Sequence, residues 1–554
     1  MRLCCSSRHF FSTDGEHDMD VSQGTPRSGE ATEVPAHRLQ RRSAVSLGPE
    51  GRGRITVPLM VGLATLTVHL LFNSGYGFFR DELYYIACGE HLAFGYVDHP
   101  PLIALIAKAS RTLLGESLPA FRFFPAVASA FVVFLSALMA SEMGGGKFAQ
   151  ALAGICVLVG PIFLGAGNIL STIVFDQLFW VLCCYLLIKL LNTGDTRLFI
   201  WLGVAVGVGL MAKHNMAYFA IGMAIAIAAT PARRHFRNKH LWLGGLMAAA
   251  IFLPNVWWQV SNGWPTLDFL KGLRASVIAR ETPKGLLLDF VMGVNPLTFP
   301  IALLGVWFYF SADEGKPYRL LGLAVAAVTA ILVAQGTKAY YLAPLYPALL
   351  AGGGLFVEKK VVARSRKLVP AALIGGLAIT GVGLAPLAIP VLPVEKLLHF
   401  TELLGMTEHY NFTGKSQRLP TLFADQFGWP ELVDDIAGVH RSLSPEEQRK
   451  AAIYARNFGE AGAVDFFGKK RGLPGAISGN HNYFFWGPGA YSGEIVITVG
   501  EPVESLCQTF EDVELKAVHR HPYAMSLEGE VPIVLCKRIK VPLQSIWPQV
   551  RSGF

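Results

Sequence analysis

Between residues 55 and 393 one apolar segment follows another, most of them separated by only a few polar residues. A helix needs about 20 apolar residues to cross a bilayer, and inside lipid it must satisfy every backbone N–H and C=O itself. This pattern leaves a multi-span α-helical bundle as the fold of that stretch. It predicts about eleven spans, near residues 55–75, 119–141, 147–166, 169–191, 198–212, 215–230, 241–260, 296–311, 320–335, 340–357 and 368–393. Composition agrees: 16% of the residues are charged and mean hydropathy is +0.41, against roughly 25% charged in soluble domains. The net charge of +8 comes mainly from short Lys/Arg clusters between apolar runs. It therefore points to membrane topology and lipid contact and not to nucleic acid.

The flanks differ. Residues 1–54 are rich in Ser, Gly, Arg and Glu and lack an apolar signal core, which predicts a disordered cytoplasmic tail. Residues 394–554 alternate strand-like and helix-like stretches, such as 451–456, 460–471, 494–499 and 531–539. That order predicts a soluble α/β domain. The eight cysteines form no framework; Cys4 and Cys5 lie in the tail, and Cys507 and Cys536 could pair only in an oxidising compartment. Asn411-Phe-Thr413 matches a glycosylation sequon. With the tail inside, eleven spans put the basic linkers at 233–239, 316–319 and 359–367 on the cytoplasmic side. The 76–118 loop, the 261–295 loop, the 335–339 turn and everything after residue 393 then face outward.

The first outward loop carries Arg80-Asp81-Glu82 and, about sixteen residues on, Asp98-His99-Pro100-Pro101. Its periodicity predicts two amphipathic helices along the membrane surface, near 81–92 and 102–114, joined by a stiff turn. Ionisable groups at a membrane boundary are costly and usually functional. An ionised carboxylate there can accept a proton from an attacking hydroxyl, and Arg80 would favour the ionised form of Asp81. The plainer reading is a solvated acidic pair on a surface helix. Asp98 and His99, stiffened by two prolines, could hold a phosphate, with His99 as donor or cation. They fit a helix N-terminus equally well.

Further along, Asp176 is an isolated carboxylate near the outer end of a span, suited to bracing the loop, for example against Arg80, or to touching substrate. Lys213 lies between two spans, and Lys338-Ala-Tyr340-Tyr341 repeats that placement. These are either interfacial anchors or a phosphate site flanked by aromatic rings. No P-loop, dinucleotide fingerprint, HExxH or CxxC is present, so the sequence calls for no nucleotide cofactor and leaves a divalent metal open.

Taken in order, these motifs resemble the polyprenyl-phosphate-sugar-dependent glycosyltransferases of GT-C type, a family that includes protein O-mannosyltransferases and lipid A aminoarabinose transferases. The likeness rests on the Asp-Glu pair, the Pro-Pro-Leu turn, Gly167 to Asp176, Gly209 to Lys213, Lys338 to Pro347, and Phe458-Gly-Glu-Ala-Gly-Ala-Val-Asp465-Phe. The resemblance implies inverting transfer of a sugar from a polyprenyl monophosphate to a glycan, lipid or protein acceptor. Transfer would occur on the outer face of a bacterial inner membrane. Asp81 would be the general base supported by Glu82, and Arg80, Asp98, His99, Asp176, Lys213, Lys338, Tyr340 and Tyr341 would bind donor phosphate or substrate. Where the aminoarabinose transferases have Arg three residues after that Asp, this chain has Tyr84; where they have Lys before the prolines, it has His99. Both changes weaken phosphate-binding charge, so neither aminoarabinose nor lipid A is implied. The alternative is a transporter or flippase of a lipid-linked saccharide. That class usually places its polar groups and broken helices at mid-bilayer, whereas here they gather at one face.

Overall fold

A computed structural model describes residues 49–276, 282–365, 368–406, 408–410 and 414–552, with side chains from residue 55. The expectations for residues 1–48, for Cys4 and Cys5 and for the sequon at 411–413 lie outside the described residues. The last six residues of the expected tail are helical, because the first helix is Pro49–Phe72. The membrane bundle and the C-terminal α/β part belong to one compact unit, Val45–Phe554.

Each of the eleven expected segments coincides with an apolar helix. Seven are long and apolar enough to cross a membrane, and nine are if each of two bent pairs is one crossing. Leu198–Ala212 and Phe299–Ser311 are shorter, so a count of eleven exceeds what helix length alone establishes. The bend of 68° between Lys147–Leu158 and Pro161–Gly167 falls at Gly160-Pro161, where proline has no N–H to continue the ladder. Helices meet through small residues, as expected where no hydrophobic effect drives association. A Cβ on Gly203 would stand 2.0 Å from the Gly244 carbonyl oxygen, and one on Gly353 1.9 Å from that of Ile301. Lys239–Ser261 buries only Gly244, Ala248, Asn255 and Gln259 and exposes Trp242, Leu246, Leu253 and Trp257, the pattern of a lipid-facing helix.

The linkers gather at one end. Glu358 accepts from the backbone N–H groups of Gly146 (2.6 Å) and Ala149 (3.1 Å). Lys360 pairs with Glu314 at 3.5 Å, and Tyr318 donates to Asn192 at 2.7 Å. Leu118–Glu142 and Thr172–Thr193 both run to this end from the opposite one, where the first loop lies.

That loop forms helices at the two expected places, Arg80–Glu90 and Leu102–Leu114, but the first buries Glu82 through Gly89 and so is not an amphipathic surface helix. The α/β part holds a five-stranded sheet in the order Ala476–Ile477, Ala451–Ala455, Ile495–Val499, Glu530–Ile539, Phe510–Arg520. The first three strands are parallel and the last two antiparallel. Ala451–Ala455 has a parallel strand on either side and is almost wholly buried, as a doubly covered parallel strand should be. Phe458–Phe467 follows it, capped by the Asn457 side chain, which accepts from Gly459 and Glu460 N–H. The stretch 502–510, whose sequence reads as a helix, is helical only over Val503–Leu506; residues 507–509 turn into the strand that starts at Phe510. Cys507 and Cys536 are free thiols, so the pairing considered for them does not form.

Candidate active site

The helix Arg80–Glu90 begins with its own carboxylates. Asp81 and Glu82 occupy the first turn, where the unsatisfied N–H groups and helix dipole favour negative charge. Glu82 accepts from the Phe79 N–H at 2.8 Å, half of a capping box. Its remaining capacity is taken by Leu170 N–H (2.7 Å) and by the fork of Arg122, whose Nε and Nη2 donate at 2.9 and 2.8 Å. Glu82 and Arg122 are both fully buried. Arg122 also donates to the carbonyls of Asn73 and Gly77 and to Gln426. This pair ties the end of the first helix, the helix Arg80–Glu90 and the C-terminal part together. Glu82 therefore supports Asp81 as a brace, with no oxygen left over for substrate.

The loop is pinned from two further sides. Asn255 donates to the Phe94 carbonyl at 2.9 Å and Gln259 to that of Tyr96 at 3.4 Å, so the polar residues of a lipid-facing helix hold the turn. From the C-terminal part, Asn482 accepts from Val97 N–H (2.7 Å) and from the Tyr84 hydroxyl (3.3 Å). The single Tyr84 hydroxyl proton is shared between Asn482 Oδ1 and Asp98 Oδ1, which is 3.1 Å away. Where the aminoarabinose transferases carry Arg, this chain thus has a buried phenol that orients Asp98. The helix Phe458–Phe467 lies against Arg80–Glu90 through glycines: a Cβ on Gly462 would be 2.9 Å from the Leu83 carbonyl carbon. This close approach is the physical content of the Phe458–Phe466 motif.

Asp81 keeps a third of its side chain exposed. Burial raises its carboxyl to about 6, against the pull of the Arg80 guanidinium and with help from the Asp98 and Glu82 carboxylates. Asp81 is not itself on the wall of the cavity beside it, although Tyr85, one helical turn on, is. Arg80 lies 3.9 Å from Asp81 and is packed over the Phe458 ring at 5.1 Å.

Beside these groups is a cavity of about 590 Å³. Asp98, His99, Tyr85 and Tyr341 line it, with Lys213 and His214 from the turn after Leu198–Ala212. The opposite wall is Pro265–Ser276, which presents Lys271 and Arg274 together with Leu267, Leu270 and Leu273. Lys213 Nζ stands 4.8 and 4.7 Å from the stacked rings of Tyr340 and Tyr341. Lys271 is already paired with Asp268 at 3.3 Å, so Lys213 and Arg274 are the cations that make the cavity suited to an anion, and the leucines make it suited to an apolar tail.

The other expected residues fall differently. His99 Nδ1 donates to the Pro100 carbonyl at 2.8 Å, and its Nε2 has no hydrogen-bond partner among the described residues. Burial lowers its pKa despite Asp98, which disfavours the cation of the two roles, donor or cation, expected of it. Asp176 braces, though not against Arg80: it accepts from Trp180 Nε1 (2.8 Å) and Asn215 Nδ2 (3.1 Å). It lies behind the cavity wall and close enough to Lys213 to feel its charge. Tyr340 is near enough to Asp81 and Asp176 to feel both. Lys338 is not on the cavity wall; it opposes Asp289, whose carboxyl is raised by burial and lowered by Lys338. Among the described residues no three His, Cys, Asp or Glu side chains are placed to share a metal ion.

Sequence reading missed Arg122, Lys271, Arg274, Asn482 and Asp425. Arg122 had a signal, a lone cation inside an apolar run. Lys271 and Arg274 had one too, standing among leucines at helical spacing. Asn482 and Asp425 had none, because their partners are hundreds of residues away.

Comparison with known proteins places this geometry. A family model described as dolichyl-phosphate-mannose-protein mannosyltransferase matches residues 98–258. Lipid A galacturonosyltransferase RgtD of Rhizobium johnstonii is 23% identical over 299 residues, 51% of this chain. The chain spans 60% of the length of that relative. ArnT from Cupriavidus metallidurans, solved bound to undecaprenyl phosphate, has a TM-score of 0.55 at 16% identity, covering 87% of this chain and 98% of its own. Its apo form has a TM-score of 0.56 at 15% identity, covering 88% and 98%. The fold is a GT-C-like helical bundle with a C-terminal α/β part, and the family model and the relative support the resemblance read from the motifs.

Proposed function

We propose that this chain is a membrane glycosyltransferase that moves a sugar from a polyprenyl monophosphate to a hydroxyl or phosphate acceptor on the outer face of a bacterial inner membrane. The observation that carries this reading is the cavity itself. It joins Lys213, Lys271 and Arg274 to a wall of leucines, next to a carboxylate whose proton affinity is raised to about 6. A lipid phosphate needs the cations and the leucines; an acceptor hydroxyl needs the carboxylate. The family match and the relative, a lipid A glycosyltransferase, support the donor class, as does the undecaprenyl phosphate in the ArnT structure.

In this mechanism ionised Asp81 takes the acceptor proton as the acceptor oxygen bonds to the anomeric carbon. The bond from that carbon to the phosphate oxygen breaks, and polyprenyl phosphate leaves with its charge held by Lys213 and Arg274. A single displacement inverts the configuration. Asp98, held by Tyr84, and neutral His99 are acceptors suited to sugar hydroxyls; Tyr340 and Tyr341 give the sugar a face to stack on and steady Lys213. Arg122 and Glu82 hold the loop so that the base is in register.

The test is to incubate purified protein in nanodiscs with a panel of radiolabelled undecaprenyl-phosphate sugars and a membrane extract, and to determine the anomeric configuration of the product. Transfer with inversion supports the reading. Transfer with retention rejects the single displacement, and lipid that crosses the bilayer unconsumed favours a transporter.

A further inference from the structure

The Arg80 guanidinium stands between carboxylates from distant parts of the chain. Its Nε is 3.9 Å from Asp81, and a terminal nitrogen is 3.5 Å from Asp425 Oδ2. Both distances exceed the roughly 2.7–2.9 Å of a close charge-assisted hydrogen bond. A slot holds the side chain there, with the Phe458 ring on one side and Gly459 on another. A Cβ on Gly459 would be 2.3 Å from Arg80 Cγ. Asp425 closes the slot. It is 1% exposed, and among the described residues neither of its oxygens accepts a hydrogen bond. A carboxylate buried in that way is costly unless an opposite charge faces it.

We infer that Asp425 is a positioning residue for Asp81: by drawing one end of the Arg80 guanidinium it keeps that cation from pairing closely with Asp81, and so links the C-terminal part of the chain to the base. The inference rests on Asp81 being the base. Asp81 is also faced by Glu82 and Tyr85 of its own helix, by Asp98 across the turn and by Tyr340. Arg80 and Asp425 both face Glu528 from the C-terminal part. His481, beside Arg80, is lowered to about 4 by burial and brings no charge. Arg80 is thus the cation that the two carboxylates divide. Burial pushes Asp425 up to about 7 against Arg80, so its hold on Arg80 strengthens as it ionises near neutrality. Losing the Asp425 charge removes both a competitor for Arg80 and a like charge near Asp81, and both effects make Asp81 easier to ionise.

The experiment uses the full chain in nanodiscs and carbodiimide, which reacts with protonated carboxyls. Labelling of the Asp81 peptide is followed by mass spectrometry against pH, with an exposed carboxylate as internal reference. Asp425→Asn is expected to lower the Asp81 midpoint by roughly a few tenths of a pH unit, because only part of Asp425 is ionised there, Arg80→Gln to raise it, and Asp425→Glu to hold it near wild type. Asp425→Ser gives the same readout if the Asn variant does not fold. A midpoint that stays or rises in Asp425→Asn, or that falls equally in Asp425→Glu, overturns the inference; a purely structural role would not move it. The labelling needs no substrate. A shifted midpoint in a protein that transfers no sugar would defeat the proposed function and leave the coupling standing, and the reverse pattern would defeat the coupling alone.

Discussion

Asp81 and Glu82 are sequence neighbours in opposite circumstances. Glu82 is saturated by Arg122, Leu170 and Phe79, whereas Asp81 has Arg80 no closer than 3.9 Å and a third of its side chain open. Removing one partner of a buried ion pair leaves the other uncompensated and costs about 3–5 kcal/mol. Arg122→Met should therefore lower the thermal unfolding midpoint in detergent and abolish transfer. Arg122→Lys should fail to rescue either, because an ammonium cannot make the fork. Asp81 acts only when ionised, and its carboxyl is raised to about 6. The rate at saturating donor should therefore fall about tenfold per pH unit below that value and be flat above it, as a pH–rate profile would reveal. The dipeptide itself is legible in sequence as chemistry at a membrane boundary. Which of the two carboxylates is free is not, because the answer lies in Arg122, forty residues on in another helix.

At the scale of elements, two features make the site. One is the seating of Phe458–Phe467 on Arg80–Glu90 through Gly459 and Gly462. Gly462→Val should cost about 1–3 kcal/mol by overpacking and loosen the α/β part, seen as faster proteolysis after residue 393. The other is the meeting of Lys213 with Lys271 and Arg274 across the cavity. A hydrogen bond to a charged group is worth about 1.5–3 kcal/mol. Lys213→Ala and Arg274→Ala should each weaken undecaprenyl-phosphate binding by roughly tenfold or more, measured by calorimetry, while Lys338→Ala should matter far less. The helices themselves were readable: the apolar runs, the Asn457 cap and the break at Gly160-Pro161 each have a local cause. Helix length was less so. Short and bent helices leave the crossing count open, and the cut from helix to strand at Phe510 is a matter of pairing with distant Ile539.

Across the whole molecule, charge is sorted by end. The linkers with Glu358, Lys360 and Glu314 lie together at one end, and Asp81, Asp98, Lys213 and Arg274 lie at the other. Sequence alone indicated this one-sidedness, because Lys/Arg bias and the polar motifs alternate between loops. It could not show that the last 160 or so residues reach back to fasten the first loop through Asn482, Gln426 and Asp425, since those contacts span more than 300 residues. One molecule-wide consequence is that the α/β part completes the site and is no detachable cap.

The most direct test of the central claim is sugar transfer by Asp81→Asn compared with wild type, at equal expression and with undecaprenyl-phosphate binding measured in parallel. The account predicts a loss of about 10²–10⁴-fold in transfer with binding retained. Transfer at the wild-type rate by Asp81→Asn would contradict it.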